Sequence, residues 1–227
     1  MPNFDLVQAI NAICISAIPL LLGIICHEVA HGWVAWRCGD PTAKMLGRLT
    51  LNPRVHIDPM GTAMFVITAI ILPFALGWAK PVPVNPRHFK NYRRDMALVA
   101  AAGPVTNFIL AVLFMVLFLI TALVYKHHQG GTVYTFFYNM FQAGVFINLL
   151  LGIFNLIPIP PMDGSKLLAM ALPAEAARAY TSIERYGMII ILVFLATGLF
   201  RKLIIPLVYD CYSGLLWLFM QVIGLFS

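Results

Sequence analysis

Two histidines and a glutamate interrupt an otherwise apolar stretch near the start of the chain, in the sequence HEVAH at residues 27–31. On a helix, His27 and His31 lie one turn apart, about 6 Å along the axis, so both imidazoles can bind one metal ion. Glu28 lies roughly 100° around the helix from His27, beside such a metal. In zinc hydrolases this pattern holds Zn²⁺ with the histidines and uses the glutamate as a general base.

The same five residues also arise by chance, as polar surface residues of a soluble helix. The surrounding sequence favours metal chemistry, because residues 6–26 contain no charged side chain. Ionisable groups at membrane depth are costly and are therefore usually functional.

The composition predicts a membrane protein. The chain has 227 residues, of which 61% are hydrophobic and 11% charged, so its apolar surface is too extensive for one soluble core. The formal charge of +6 comes from Lys and Arg in short loops between apolar runs. These loops are expected to face the cytoplasm and its anionic lipids, and we expect no nucleic-acid partner.

The first helix is expected over residues 5–37, with Pro19 as a kink. At about 1.5 Å per residue it is roughly 50 Å long, more than a hydrocarbon core of about 30 Å. No Lys or Arg precedes it, so it lacks the basic region of a signal peptide, and we expect it to be retained with its N-terminus outside. His31 precedes Arg37 by six residues, which predicts a metal inside the membrane near its cytoplasmic side.

The two segments that follow are less regular. Lys44–Asp58 mixes leucines with polar residues and contains Asn52-Pro53, which predicts a small β-hairpin at the cytoplasmic surface. We hypothesise that its edge, and the extended residues 80–86, pair with an unwound substrate. Residues 60–79 are uncharged but lie between two basic loops, so a re-entrant segment fits the charge distribution better than a single crossing.

The next two predicted helices carry further polar residues. In residues 96–125, Gly103 and Asn107 lie four apart on one face, which suits close helix packing with an interhelical hydrogen bond as well as a catalytic role for Asn107. The helix over residues 139–157 runs into a proline-rich break. Asp163 after this break either caps the next helix or, as we favour, is the third protein ligand of a zinc ion.

The C-terminal part of the sequence is apolar and less informative. Residues 172–185 predict a short amphipathic helix, and residues 187–200 and 203–226 predict a hairpin or one spanning and one partial segment. Asp210 is the only acidic residue in the last run. A hydrogen bond to Tyr209 or Tyr212, or an interfacial position, suits it better than catalysis.

Three motifs, HEVAHG, GPVTN and NLIPIPPMDG, occur in that order on the predicted membrane helices. Together they resemble the site-2 protease family of intramembrane zinc metalloproteases, peptidase family M50. The resemblance implies that His27, His31 and Asp163 bind one Zn²⁺ and that Glu28 is the catalytic base. It also implies that Asn155 faces the active site, where it could hold the substrate or the oxyanion. For Asn107 we expect either the same role or the packing role described above.

The resemblance covers the chain up to about Lys166. Met162 replaces the leucine that usually precedes the aspartate in this family, which leaves the ligand itself in place. No stretch has the size or composition of a PDZ or CBS domain, so we expect a compact form with one membrane-embedded protease domain over residues 1–227. Its core would be residues 5–166, followed by a helical region over residues 167–227.

The sequence therefore predicts an all-α polytopic membrane protein with five to six membrane segments. One of these is the re-entrant segment, and the β-hairpin lies on the cytoplasmic side. The predicted function is zinc-dependent intramembrane hydrolysis of peptide bonds in or near transmembrane segments. The expected substrates are membrane proteins or peptides, and the protein is expected to contact membrane lipids. The alternative is a zinc transporter or sensor without proteolytic activity. The oligomeric state is left open.

Overall fold

Every regular element in the described part of the protein is helical. The computed structural model describes residues 6–71, 77–128 and 131–224. Short 3-10 turns at Pro53–Val55, Pro86–His88 and Ser182–Tyr186 supplement nine α-helices in these ranges. The α-helices are α1 (Leu6–Arg37), α2 (Thr42–Met45), α3 (Pro59–Ile71), α4 (Tyr92–His128), α5 (Thr132–Asn155), α6 (Asp163–Ala171), α7 (Ala174–Thr181), α8 (Gly187–Ala196) and α9 (Leu199–Gly224).

Among the described residues, five helical stretches are long and apolar enough to cross a membrane, which confirms the predicted polytopic helical architecture. One of them joins α7 and α8 through the intervening 3-10 turn. The five are Ile13–Arg37, Tyr92–Val124, Thr132–Asn155, Ala174–Ala196 and Leu199–Val222.

The main hydrophobic core lies between α4, α5 and α9. Phe114 and Met115 of α4 pack there with Val145 of α5 and with Ile204 and Val208 of α9, all at most 8% exposed. Helix α1 packs against α4 and α5, and α6 packs against α4. Helix α4 therefore lies beside both elements that carry the predicted metal ligands.

The β-hairpin predicted for Lys44–Asp58 is wrong, because the local sequence signals there end and begin helices. Gly47 adopts a left-handed conformation with φ +64°, and the Arg48 N–H donates to the Ala43 carbonyl at 2.9 Å, which terminates α2. Asn52 then caps the 3-10 turn by accepting a hydrogen bond from the Arg54 N–H at 3.1 Å. The substrate-pairing edge proposed for this segment is therefore absent.

Helix α3 occupies the first part of the segment predicted to be re-entrant. It has 13 residues, about 20 Å at 1.5 Å per residue, and is too short to cross a hydrocarbon core of about 30 Å. Residues 72–76 lie outside the described residues, so the re-entrant path stays a prediction. The two ends of the segment lie together, because the Lys80 N–H donates to the His56 carbonyl at 2.8 Å.

Asp40 fixes the chain that follows this segment to the end of α1. Its fully buried carboxylate accepts hydrogen bonds from the Thr42 N–H and hydroxyl, from the Asn85 N–H at 2.6 Å and from His88 Nδ1 at 2.8 Å. Burial alone would raise the pKa of Asp40, but the hydrogen bonds from Thr42, His88 and Asn85 outweigh it and lower that pKa below its usual value. Asp40 is thus a charged link between two loops.

Replacing Asp40 with asparagine is expected to destabilise the protein at neutral pH by about 1–3 kcal/mol, because one of its two acceptor oxygens becomes an amide donor that faces the donors it bonded before. A group whose pKa is lowered on folding stabilises the fold above its unfolded pKa and loses that contribution as the pH falls through its folded pKa. The difference in melting temperature between wild type and Asp40→Asn should therefore be full at pH 7 and shrink below about pH 4. Glu175→Gln, at an exposed site on α7, is the control. A difference that does not change with pH would contradict this assignment.

Candidate active site

Three buried ligand atoms from two helices meet at one point. His27 and His31 lie on α1, and Asp163 is the first residue of α6. Asp163 Oδ2 lies 3.1 Å from His27 Nε2 and 3.0 Å from His31 Nε2, and the two Nε2 atoms are 3.0 Å apart. The three residues are 8%, 8% and 4% exposed. In the part of the chain that the structure describes, they form the one group of this kind able to hold a metal ion.

The opposite ring nitrogen of each histidine faces an acceptor. His31 Nδ1 lies 2.7 Å from the Val99 carbonyl, and His27 Nδ1 lies 2.7 Å from Asn107 Oδ1. Because a carbonyl oxygen only accepts, each Nδ1 carries the proton and donates it. Each Nε2 therefore presents a lone pair toward the meeting point. Histidines that bind metals commonly donate their other ring N–H to an acceptor in this way.

Asn107 is held by a second buried amide. Asn107 Nδ2 donates to the Gly23 carbonyl and to Asn148 Oδ1, both at 3.1 Å, while Asn148 Nδ2 donates to the Gly144 carbonyl at 2.9 Å. Both asparagines are fully buried. These bonds fix the Asn107 oxygen toward His27, and they favour the interhelical hydrogen bond expected from the sequence over direct contact of Asn107 with a substrate.

Gly103 lets α4 approach the two imidazoles. A Cβ at this position would lie 2.5 Å from both His27 Cε1 and His31 Nε2, closer than real side chains come. Gly103 and Asn107 therefore act together on one face of α4, the first by leaving space and the second by donating and accepting hydrogen bonds. This is the close helix approach that their spacing predicts.

The donor set fits a zinc ion. Tetrahedral Zn²⁺ with ligands at about 2.0–2.1 Å places them about 3.3 Å apart, close to the separations observed here. With both Nδ1 atoms protonated, two lone pairs and a carboxylate oxygen face one another in a buried site, and a bound cation would be a ligand partner for all three. Two histidines and one carboxylate are also a common protein ligand set for catalytic zinc, which leaves a further position for water or substrate.

The carboxylate of Asp163 is held in its charged form. The positive charge of Lys166 favours the carboxylate form of Asp163. Lys166 Nζ lies 3.0 Å from Asp163 Oδ1, the oxygen that points away from the histidines. Both carboxylate oxygens therefore have a defined partner. These two contacts explain the position of Asp163 without the helix-capping role that the sequence allowed as an alternative.

Glu28 lies beside the ligands and contacts a distant segment. Its Oε2 accepts a hydrogen bond from the Val82 N–H at 2.8 Å, and its Oε1 makes no hydrogen bond to any residue that the structure describes. The carboxylate therefore has one oxygen fixed and one oxygen available for proton transfer.

An open cavity of about 700 Å³ surrounds these groups. Asn155 lines it and donates from Nδ2 to the Leu151 carbonyl at 3.0 Å, without a contact to a metal ligand. Its lining includes residues of the non-helical segment before α4 and of the proline-rich chain before α6. The lining includes His27, Glu28, His31, Trp78, Ala79, Pro81, Val82, Asn155, Pro161, Met162 and Asp163.

Asn107→Leu is expected to weaken zinc binding by about 10- to 100-fold, the usual effect of losing a hydrogen bond to a ligand histidine. The leucine keeps the approximate volume but removes the acceptor of His27 Nδ1. Titration with a competing chelator measures the affinity. Asn155→Leu is the matched comparison, since its amide contacts no ligand and zinc affinity should stay at the wild-type value. Equal loss of affinity in both variants would show that the Asn107 contact has no special role.

Three groups of this site were not predicted from the sequence, namely Asn148, the Val99 carbonyl and the Val82 N–H. Asn148 could have been noticed as a polar residue within an apolar helix. The other two are main-chain groups, whose positions no residue type reveals. Asp210, by contrast, is exposed on α9, and no hydrogen bond joins it to Tyr209 or Tyr212 within the described ranges.

Comparison with known proteins identifies relatives along most of the chain. A family model described as Peptidase family M50 matches residues 15–127 and 123–198. Three relatives share the name "Putative zinc metalloprotease". They are YwhC of Bacillus subtilis (38% identity, 90% of this chain and 90% of the relative), Rip2 of Mycolicibacterium smegmatis (30%, 83% and 69%) and MJ0611 of Methanocaldococcus jannaschii (31%, 74% and 73%). No solved structure matches the chain significantly.

Proposed function

Because the chain belongs to peptidase family M50, the site-2 zinc metalloproteases, we propose that it hydrolyses peptide bonds in or near the transmembrane segments of other membrane proteins. The observation that carries the proposal is the meeting of His27, His31 and Asp163 beside Glu28, in a cavity bounded by helices of membrane-spanning length. A soluble protease has no need to bury such a site among apolar helices.

In this proposal His27, His31 and Asp163 hold one zinc ion. When bound, zinc supplies a Lewis acid that makes water nucleophilic near neutral pH and polarises the substrate carbonyl. Glu28 Oε1 takes the proton of the attacking water and later returns it to the leaving amine. Asn155, on the cavity wall, contacts the substrate or the developing oxyanion, whereas Asn107 acts on His27.

The substrate must be unwound before it is cut. A transmembrane helix uses its peptide groups in its own hydrogen bonds, so a scissile carbonyl is accessible only in extended chain. Residues of two non-helical segments, 77–84 and 161–162, line the cavity, and in our proposal an extended peptide passes between them.

We further propose that the N-terminus is outside and that the site opens toward the cytoplasm. The contact between Lys80 and His56 brings the basic residues before and after α3 to the same end of the molecule, which supports a re-entrant path for residues 60–79 and agrees with the positive-inside rule. A reporter fused near Arg87 should then be cytoplasmic. A periplasmic reporter would overturn this orientation.

We also propose that residues 1–227 act as one membrane-embedded domain, with a core over residues 5–166 and a helical region over residues 167–227. In support, Ile204 and Val208 of α9 share a buried cluster with α4 and α5. A separately folded C-terminal region would not share its core with the helices beside the site.

The test is cleavage by the purified protein in liposomes with a panel of single-span substrates. Mass spectrometry of the products should place the cut in or near the transmembrane segment, and a zinc chelator should stop it reversibly. A transporter, the alternative function, would instead move zinc into vesicles that contain a zinc dye. Transport needs ligands along a path, whereas the described residues offer one cluster. Zinc uptake without cleavage would refute the protease proposal.

A further inference from the structure

The extended chain between α3 and α4 touches the proposed base directly. We call residues 77–84 the cleft segment, because they line one wall of the cavity. The Val82 N–H donates to Glu28 Oε2 at 2.8 Å, across 54 residues of sequence. A hydrogen bond from an amide to a carboxylate is charge-assisted and stronger than one between neutral groups.

The side chain of Val82 fits the same face of α1. Glu28 and Gly32 lie one helical turn apart, and a Cβ at Gly32 would lie 2.6 Å from Val82 Cγ1. Val82 is 7% exposed. The residue is therefore fixed to α1 at two points, its N–H on Glu28 and its side chain over Gly32.

Other contacts set the position of the cleft segment along α1. Arg48 Nη2 donates to the Lys80 carbonyl at 2.8 Å and to the Pro81 carbonyl at 3.3 Å. The Lys80 N–H donates to the His56 carbonyl at 2.8 Å, and the link from Asn85 to Asp40 fixes the chain just beyond the segment. The Val82 N–H is thus held in place from both sides.

The prolines on either side limit what else this segment can do. Pro81 and Pro83 have no N–H, so Val82 supplies the single main-chain donor of residues 81–83. The Lys80 N–H bonds to His56, the Lys80 and Pro81 carbonyls bond to Arg48, and the Val82 N–H bonds to Glu28, so these groups are already used. The arrangement suits fixing Glu28 better than pairing with a substrate strand.

We propose that the main-chain N–H of Val82 is a positioning donor for the catalytic base, held in register by Arg48. By fixing Oε2, it keeps Glu28 in one rotamer with Oε1 directed into the cavity, which places the proton acceptor before the substrate arrives. The inference rests on the proposed function, because it assumes that Glu28 is the base.

Val82→Pro removes this N–H, and Val82→Ala keeps it. In the liposome assay we expect Val82→Pro to lower kcat by about 10- to 100-fold, as misplaced catalytic groups do, with KM within about threefold of wild type and zinc content unchanged. Val82→Ala should keep at least a third of the wild-type kcat. Val84→Pro inserts a proline at the next N–H, which bonds to no described residue, and should cost far less than Val82→Pro.

Several outcomes would overturn the inference. An unchanged kcat in Val82→Pro would do so. A raised KM with normal kcat in Val82→Pro would indicate that the segment pairs with the substrate instead. A loss of kcat in Val84→Pro equal to that in Val82→Pro would also overturn it. If Val82→Pro fails to bind zinc, an ester in place of the Val82 amide decides the matter, since it keeps the side chain and removes the N–H. The wild type and Glu28→Gln in the same assay separate the two proposals. If the wild type cleaves no substrate, the proposed function fails, and if Glu28→Gln remains active, Glu28 is not the base and the inference fails with it. If Glu28→Gln is inactive while Val82→Pro is fully active, the positioning role alone fails.

Discussion

Asp163→Asn is expected to lose zinc and cleavage together. The asparagine has nearly the same shape but no charge, and a neutral amide oxygen is a weak zinc ligand beside two imidazoles. Loss of a direct ligand should lower zinc affinity on the order of 100-fold or more, beyond the loss caused by removing a hydrogen bond to a ligand histidine. Zinc per chain, measured by mass spectrometry after dialysis against a weak chelator, and the cleavage rate should fall in parallel.

Asp210→Asn is the control for this variant, because it removes the other acidic residue that the sequence marks in an apolar run. Asp210 is exposed on α9, away from the ligand cluster. Its variant should keep one zinc per chain and wild-type cleavage. If Asp163→Asn retains zinc at the wild-type affinity, α6 does not contribute the third ligand and the split site is refuted.

Glu28→Gln is expected to separate binding from catalysis. The glutamine amide oxygen can still accept the Val82 N–H, so the local structure should persist. The variant cannot take a proton from water, and loss of general base catalysis should slow cleavage by about 10²–10⁴-fold. Zinc content should stay at one per chain, which distinguishes this variant from Asp163→Asn.

Glu175→Gln is a matched control at an exposed glutamate of α7 and should cleave at the wild-type rate. Product formation from a single-span substrate is the measurement, at several enzyme concentrations so that a 10²-fold loss can be resolved. Cleavage by Glu28→Gln within threefold of wild type would mean that another group acts as the base.

The three residues that meet at the site could be singled out from the sequence, because each stands out from its immediate neighbours. The spacing of His27 and His31 sets their common face on a helix, and Asp163 is an acidic residue directly after a proline break in an apolar run. The spacing of Gly103 and Asn107 likewise indicated a close helix contact. The structure adds that this contact is made against the two imidazoles themselves.

The surroundings of Glu28 could not be predicted in the same way. The Val82 N–H and the Val99 carbonyl are main-chain groups, so their role depends on the path of the chain and not on residue type. The prediction of a β-hairpin over Lys44–Asp58 was wrong for a related reason. Leucines that alternate with polar residues resemble a strand, but Gly47 and Asn52 end and begin helical turns there, and these local hydrogen bonds determine the conformation.

X-ray absorption at the zinc edge, measured on the purified protein in lipid, tests most directly whether α1 and α6 hold one zinc ion. We expect two imidazole nitrogens and carboxylate oxygen at about 2.0–2.2 Å from zinc in the wild type, with the carboxylate contribution lost in any zinc that Asp163→Asn retains. A sulfur ligand at about 2.3 Å, which would indicate a cysteine such as Cys26, or a spectrum with a single imidazole would contradict it.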